Sequence, residues 1–391
     1  MPIAAEQIRI CAFSYYFPPH FSGAGLQTLT LAKELSKQGV HYFFVTVDNT
    51  GLPRHDTYQG FDVYRIADGP KKHGEFVLWW NLFRTLHALR QRFDIIHASG
   101  STYRNSAVGI IGKVLGKKSL TLVSMAHNDL YPIGRTRVGK AQKYLLGYVD
   151  RYVSLSRQIS EEMESLPLDH AKSVEISQGV DTDRFSSVDA SDRSCLRKQL
   201  NLPERPIALF AGVFDSRKNI EWLVHTWVKH RQRLFGWCLL LVGPTSRDRR
   251  EAGLRERLQE LVRREGLDQE ILFRDFSPTP EDYYRSADLF ILPSLNEGLP
   301  NVVLEAMSCG LPCVVTRISG TTDIIDHGNS GMMFEVNDEM SFLDAITPLL
   351  GSADRRRNMG SHASAEIHNR LSSKRSAERY LRLYQTMLEG Q

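Results

Sequence analysis

The chain has 391 residues, more than one hydrophobic core usually serves, which sets two domains as the expectation. Its 42% hydrophobic and 24% charged residues exclude a disordered chain. A net charge of +4, from 49 basic and 45 acidic residues, is too mild for a nucleic-acid binder and permits only a weak preference for anionic surfaces or substrates. The opening residues "MPIAAEQIRICAF" lack a basic stretch followed by a long apolar run. No segment reaches the roughly 18 apolar residues of a spanning helix, so a cytoplasmic protein is expected. Cys11, Cys195, Cys238, Cys309 and Cys313 form no metal or disulfide pattern and read as reduced core residues.

Short apolar runs alternate with amphipathic stretches throughout, as strands and crossover helices do in parallel sheets. In the first half "IRICAFSY", "HYFFVTV", "FDVYRIA", "DIIHAS", "SLTLVSM" and "RYVSLS" read as strands. Between the first two, Leu26, Leu29, Ala32 and Leu35 recur at helical spacing and Gly39 supplies a stop. The small polar run "SSVDASDRS", residues 186–194, reads as a linker or helix cap. After it the pattern restarts with "PIALFAG", "WCLLLVG", "EILFRDF", "DLFILPS" and "PCVVTR" as strands. The expected architecture is therefore α/β with two open sheets in residues 1–188 and 189–371. The last helix, 372–389, is expected to pack back on the first domain. Sheets of this kind bind ligands at the carboxyl ends of their strands.

The stretch "NEGLPNVVLEAMSCG", residues 296–310, carries the most chemistry. Pro300 suits a first helical position, Gly298 lets backbone approach a ligand, and the amides of the new helix can hold phosphate. Glu297 and Glu305 could accept hydrogen bonds from the hydroxyls of two sugars on either side of that phosphate. The plainer alternative leaves Glu305 on a helix face and Glu297 as a favourable charge at the helix start.

Glu297 and Glu305 form a Glu-x7-Glu motif within "LPSLNEGLPNVVLEAMSCGLPCVVT", which resembles the donor-sugar motif of the retaining glycosyltransferases of family 4. "FPPHFSGAGLQTLTLAKELSKQG", "DIIHAS", "VSLSRQISEEM", "EISQGVDTDRF", "ALFAGVFDSRKNIEWLV" and "SGTTDIIDHGNSGMMF" resemble other segments of that family in the same order, over residues 8–335. The resemblance implies a GT-B fold, two Rossmann-like domains facing across an inter-domain cleft. It implies that Glu297 meets the transferred sugar and Glu305 the ribose. Backbone near Gly298, Leu299 and Asn301 would face the sugar and diphosphate. Lys218 would neutralise the departing diphosphate, and Gly23 would close on the same phosphates. His127, in "VSMAHNDLYP", stands where family members place a histidine toward the transferred sugar.

Three positions depart from the family. Val213 follows Gly212 where the family has arginine, with Arg217 beside Lys218 as the substitute; Ser22 replaces the first loop glycine; Gln178 replaces an asparagine. Asp181 and Asp183 imitate a metal-binding Asp-x-Asp but lie in a segment resembling the family's Gly-Val-Asp region; Gly23-x-Gly25 with Asp48 imitates a dinucleotide fingerprint, but Thr28 stands in place of its third glycine and the loop begins well after the strand. In "KKHGEFVLWWNLFRTLHALRQRF", residues 71–93, basic residues flank Trp79 and Trp80; the helix suits core packing or a membrane interface.

Together these readings predict a retaining, metal-independent hexosyltransferase that needs no cofactor. It would move a sugar from a nucleotide-diphosphate sugar to a hydroxyl of a glycan or lipid-linked acceptor, in surface polysaccharide or glycolipid biosynthesis. The expected place is the cytoplasm, or the inner face of the cell membrane through residues 71–93. A nucleotide-sugar epimerase on the same fold and a non-catalytic nucleotide-sugar or glycan binder are the alternatives. An NAD-dependent dehydrogenase would leave Glu297 and Glu305 unused.

Overall fold

The structure, a computed structural model, describes residues 3–19, 23–48, 51–68, 74–100, 105–123, 137–164, 168–246 and 248–389. The chain divides into two compact units, Met1–Gly179 with Ser373–Gln391, and Val180–Ser372. The division falls before the polar run 186–194, because residues 180–188 bond into the second unit. The Val180 amide donates to the Leu371 carbonyl at 2.9 Å, and Arg285 binds the carbonyls of Arg184 and Ser186 at 2.7 and 3.2 Å. The run itself supplies Asp189, whose side chain caps the helix Ala190–Gln199.

The first unit holds strands β1 (Arg9–Ser14), β2 (His41–Asp48), β3 (His55–Tyr58), β4 (Phe61–Ala67), β5 (Ile95–Ser99), β6 (Lys118–Val123), β7 (Arg151–Ser154) and β8 (Ser173–Glu175). Their order is β3-β4-β2-β1-β5-β6-β7-β8, parallel except for the β3–β4 pair. β5 is buried at every residue, as a central parallel strand covered on both faces must be. The helix Gly74–Ala88 puts Leu78, Leu82 and Leu86 into the core at four-residue spacing, against Phe13, Phe43 and Phe93. The last helix, Ser373–Glu389, lies on this unit. Tyr384 bonds the Tyr42 hydroxyl at 2.8 Å, and Gln385 donates to the Ile3 carbonyl at 2.8 Å.

The second unit holds β9 (Ile207–Ala211), β10 (Cys238–Val242), β11 (Ile271–Arg274), β12 (Leu289–Leu292), β13 (Cys313–Thr316) and β14 (Gly331–Phe334), all parallel, in the order β11-β10-β9-β12-β13-β14. The winding reverses between β9 and β12, which pair directly. At such a switch point the loops leaving the two strands diverge and open a crevice for a ligand. Ile220, Leu223, Val224 and Trp227 bury one face of the helix Ile220–Lys229 that follows β9.

Four cysteines are buried, while Cys195 is exposed, contrary to its reading as a core residue, because it lies on the solvent side of the helix Ala190–Gln199. No described helix is long and apolar enough to cross a membrane.

Candidate functional site

The loops after β9 and β12 meet at the switch point. Past β9, Gly212 and Gly243 bring the ends of β9 and β10 so close that a Cβ at Gly243 would lie 1.8 Å from the Gly212 oxygen, so only glycine fits there. Asp215 then caps the 3-10 turn Ser216–Lys218 by accepting the Lys218 amide at 2.8 Å. That cap aims Lys218 inward. Its stem passes Gly212, its side chain is buried, and Nζ reaches Glu297 Oε1 at 2.5 Å. From the same turn Arg217 Nη1 reaches Glu297 Oε2 at 2.9 Å and the Asn296 carbonyl at 3.2 Å. Ser294, just past β12, donates to Glu297 Oε1 at 2.9 Å.

Glu297 is 7% exposed. Burial alone would raise its pKa, but the charges of Lys218 and Arg217, with hydrogen bonds from Lys218 and Ser294, outweigh burial and hold it below the usual glutamate value. The carboxylate is therefore ionised through the neutral range. Three protein donors already occupy it, two on Oε1 and one on Oε2, which leaves acceptor capacity chiefly on Oε2.

Gly298 and Leu299 lead to Pro300, the residue before the helix Asn301–Ser308, and no side chain caps that helix start. Pro300 thus stands one position earlier than the sequence suggested, at the cap in extended conformation. The loop is clamped from behind by Gly320, with φ of +77°; a Cβ there would lie 2.2 Å from the Gly298 oxygen. Four residues into the helix, the half-buried Glu305 faces a different environment. Tyr284, on the helix Pro280–Ser286, donates to Glu305 Oε2 at 2.7 Å. Burial pushes the Glu305 pKa up to about 7, against partial relief from that hydrogen bond and from Arg184 and Lys218. Arg184 is held on Glu281 at 2.8 Å.

Arg217, Lys218, Glu297, Gly298, Leu299, Asn301 and Glu305 all fall on the loops and helix at this switch point. Gly23 belongs to the other unit, at the start of the helix Gly23–Ser36, and His127 lies outside the described residues. In that helix the close approach belongs to Gly25, where a Cβ would lie 2.5 Å from the Tyr16 oxygen. Asp181 caps its own turn, accepting the amides of Asp183 and Arg184 at 3.2 and 3.0 Å. Among the described residues no cluster of three or more His, Cys, Asp or Glu could hold a metal ion. Ser294, Asp215, Tyr284 and Gly320 were missing from the sequence reading. Asp215, Ser294 and Gly320 lie inside segments with a family counterpart, whereas Tyr284 carries no such signal.

The model of the "Glycosyl transferases group 1" matches residues 205–352 and that of "Glycosyltransferase Family 4" matches residues 21–184. N-acetyl-alpha-D-glucosaminyl L-malate synthase of Bacillus anthracis is 22% identical over 95% of both chains. D-inositol 3-phosphate glycosyltransferase of Corynebacterium jeikeium is 31% identical over 54% of this chain and 50% of its own. Among solved structures, HepE of Anabaena in complex with UDP superposes with a TM-score of 0.79 at 17% identity, covering 97% of this chain and 100% of that one. Sucrose-phosphate synthase from Thermosynechococcus elongatus superposes with 0.81 at 20% identity over 98% and 100%. The fold is GT-B, and the chain belongs to the group 1 glycosyltransferases of family 4.

Proposed function

We propose that this glycosyltransferase takes a nucleotide-diphosphate sugar as donor, retains the configuration of the transferred sugar, and uses no metal. The observation that carries the reading is the pair of cations on Glu297, Lys218 at 2.5 Å and Arg217 at 2.9 Å, next to the start of the helix Asn301–Ser308. A diphosphate needs positive charge and N–H donors where its charge grows on departure, and preorganised groups of this kind supply large rate effects. Lys218 and Arg217 offer that charge without an ion. Glu297 holds both cations in place and offers its remaining acceptor site to a sugar hydroxyl.

Glu305 takes the ribose in this reading. Its Oε2 is committed to Tyr284, and no described protein group donates to Oε1. From the first unit the reading takes Gly23 for the phosphates and His127 for the sugar, both from the family resemblance. The reading assigns no covalent nucleophile. A front-face displacement follows, in which the acceptor hydroxyl attacks C1, the C1–phosphate bond breaks, and the leaving phosphate oxygen receives the hydroxyl proton.

The acceptor is proposed to be a glycan or lipid-linked hydroxyl in surface polysaccharide or glycolipid synthesis. A lipid-linked acceptor would give the helix Gly74–Ala88 a purpose: Phe76 and Trp80 are 71% and 59% exposed on the side opposite Leu78 and Leu82. A thermal-shift screen against UDP-, GDP-, ADP- and dTDP-sugars, with and without a divalent ion, tests the donor reading. Stabilisation by one nucleotide sugar without metal is expected. Stabilisation only with the ion would remove metal independence, and by none would remove the donor site.

A further inference from the structure

A second cavity, of about 370 Å³, lies at the opposite end of the same sheet. Asp288, directly before β12, Pro312, directly before β13, and Glu204, ahead of β9, line it. The donor-site loops leave the carboxyl ends of β9 and β12, so the two sites are separated by the length of the sheet. Two helices begin at this cavity, Ala190–Gln199 with Arg193 near its start and Ala353–Arg370 with Arg356 and Arg357 near its start. Arginine at a helix start opposes the helix dipole, so the sequence accepts a cost there.

The arginines divide by how well they are satisfied. Arg197 is 6% exposed and fully used, on Ser286 O at 2.9 Å, Glu204 O at 3.0 Å and Asp288 Oδ2 at 2.7 Å. It is a strut. Arg193 must share the same Asp288, at 3.3 Å, and its Nε is buried with no hydrogen-bond partner. Arg356 forms no ion pair among the described residues. Its Nη1 caps the preceding helix at Leu349 O, 2.6 Å, and its guanidinium stacks 4.9 Å over Trp237. Burial lowers the Arg356 pKa, and Arg357 and Arg193 lower it further against the pull of Asp288. Arg357 completes the cluster, with its own partner, Asp354, on the solvent side.

The placement of these groups is built in. Gly360, in the same helix as Arg356 and Arg357, would put a Cβ 2.0 Å from the Gly310 oxygen, so only glycine lets that helix press onto the loop before β13. The result is a cavity with an arginine surplus and a buried Arg193 N–H that has no partner among the described residues, while the two helix starts beside it are already capped by Asp189 and Ser352. Among the described residues Asp288 is the one carboxylate ion-paired with Arg193 and Arg197, and Glu204 is the other acid lining the cavity.

We propose that this cavity binds a small phosphorylated metabolite, its phosphate held by Arg193, Arg356 and Arg357. The site is independent of the donor site. Planar guanidinium groups suit phosphate oxygens in paired hydrogen bonds, and the cavity falls within the size range of small-molecule pockets.

The test is a calorimetric titration of inorganic pyrophosphate into the full chain and into two variants. Arg193→Gln/Arg357→Gln removes two of the three proposed contacts while leaving the Arg197–Asp288 strut, and Lys218→Ala weakens the donor site only. Binding that falls about tenfold or more in the arginine variant but persists in Lys218→Ala supports the site. Binding lost in Lys218→Ala and unchanged in the arginine variant overturns it, and so does the absence of binding to wild type. Circular dichroism and thermal melting of the double variant check its fold. If it fails to fold, the exposed single variant Arg357→Gln is titrated instead, and unchanged affinity there counts against the proposal.

Discussion

Glu297 and Glu305 stand on one loop and the helix it starts, yet their environments drive them in opposite directions. At Glu297 two cations and a serine hydroxyl overcome burial and keep the acid ionised. At Glu305 burial wins over a tyrosine hydroxyl and more distant cations, and the acid titrates near 7. The difference teaches how one short segment can serve two parts of a donor. In the proposed function a fixed negative charge would organise the cations for the phosphates, and a carboxyl of adjustable charge would take the hydroxyl donors.

The largest effect is expected from Lys218→Ala. It removes one of two cations from the diphosphate, and turnover should fall by roughly 100- to 1,000-fold, the loss typical of one preorganised charge-stabilising donor. A steady-state assay of released nucleotide diphosphate measures this, with circular dichroism as the fold check; undiminished turnover would remove Lys218 from the leaving-group role. Next comes Glu297→Gln, which frees both cations from their counter-ion. Turnover should drop by about 10- to 100-fold while binding of free nucleotide diphosphate holds or tightens. Weaker binding in calorimetry would mean that Glu297 contacts the nucleotide instead.

Glu305→Ala should weaken nucleotide-sugar affinity by about tenfold, the scale of one lost charge-assisted hydrogen bond, with little change in turnover at saturation. The pH dependence sharpens the contrast. Ribose hydroxyls need the ionised acid, so affinity in wild type should rise with pH up to about 7 and then level off. Stability runs the other way. A raised pKa gives a contribution that is complete below the unfolded value, about 4.3, and is lost as pH rises through about 7. Glu305→Gln should therefore gain melting temperature relative to wild type between those limits. The smallest effect belongs to Tyr284→Phe, which removes a donor from the charged acid; the pH midpoint of nucleotide-sugar binding should move upward by a fraction of a unit. An unmoved midpoint would leave the Tyr284 contact without electrostatic weight.

Much of this was legible in the sequence because it rests on local pattern. The buried strands β5, β9, β10, β12 and β13 are continuous apolar runs, and the loop with Glu297, Gly298 and Pro300 announces a helix start by its residue types alone. β3, "HDTY", and β8, "SVE", escaped because they are polar edge strands, and β14, "GMMF", because it is an edge strand that opens on glycine after a run of turn residues and carries no β-branched residue. The partners of the acids escaped for another reason. Lys218 meets Glu297 across 79 residues and Tyr284 meets Glu305 across 21, contacts made by the β9–β12 pairing and by helix packing. Arg217, the proposed stand-in for the family arginine absent at Val213, does reach Glu297. The two units divide between Gly179 and Val180, and of the two readings of the run 186–194 the structure takes the cap, made by Asp189.

The central claim is that Glu305 receives the donor ribose as an ionised acid, and proton linkage tests it most directly. The stabilising nucleotide sugar is titrated calorimetrically at pH 7 in two buffers of different ionisation enthalpy, into wild type and Glu305→Gln. The account predicts release of about half a proton on binding to wild type and none with the variant. Equal proton release from both proteins would contradict it.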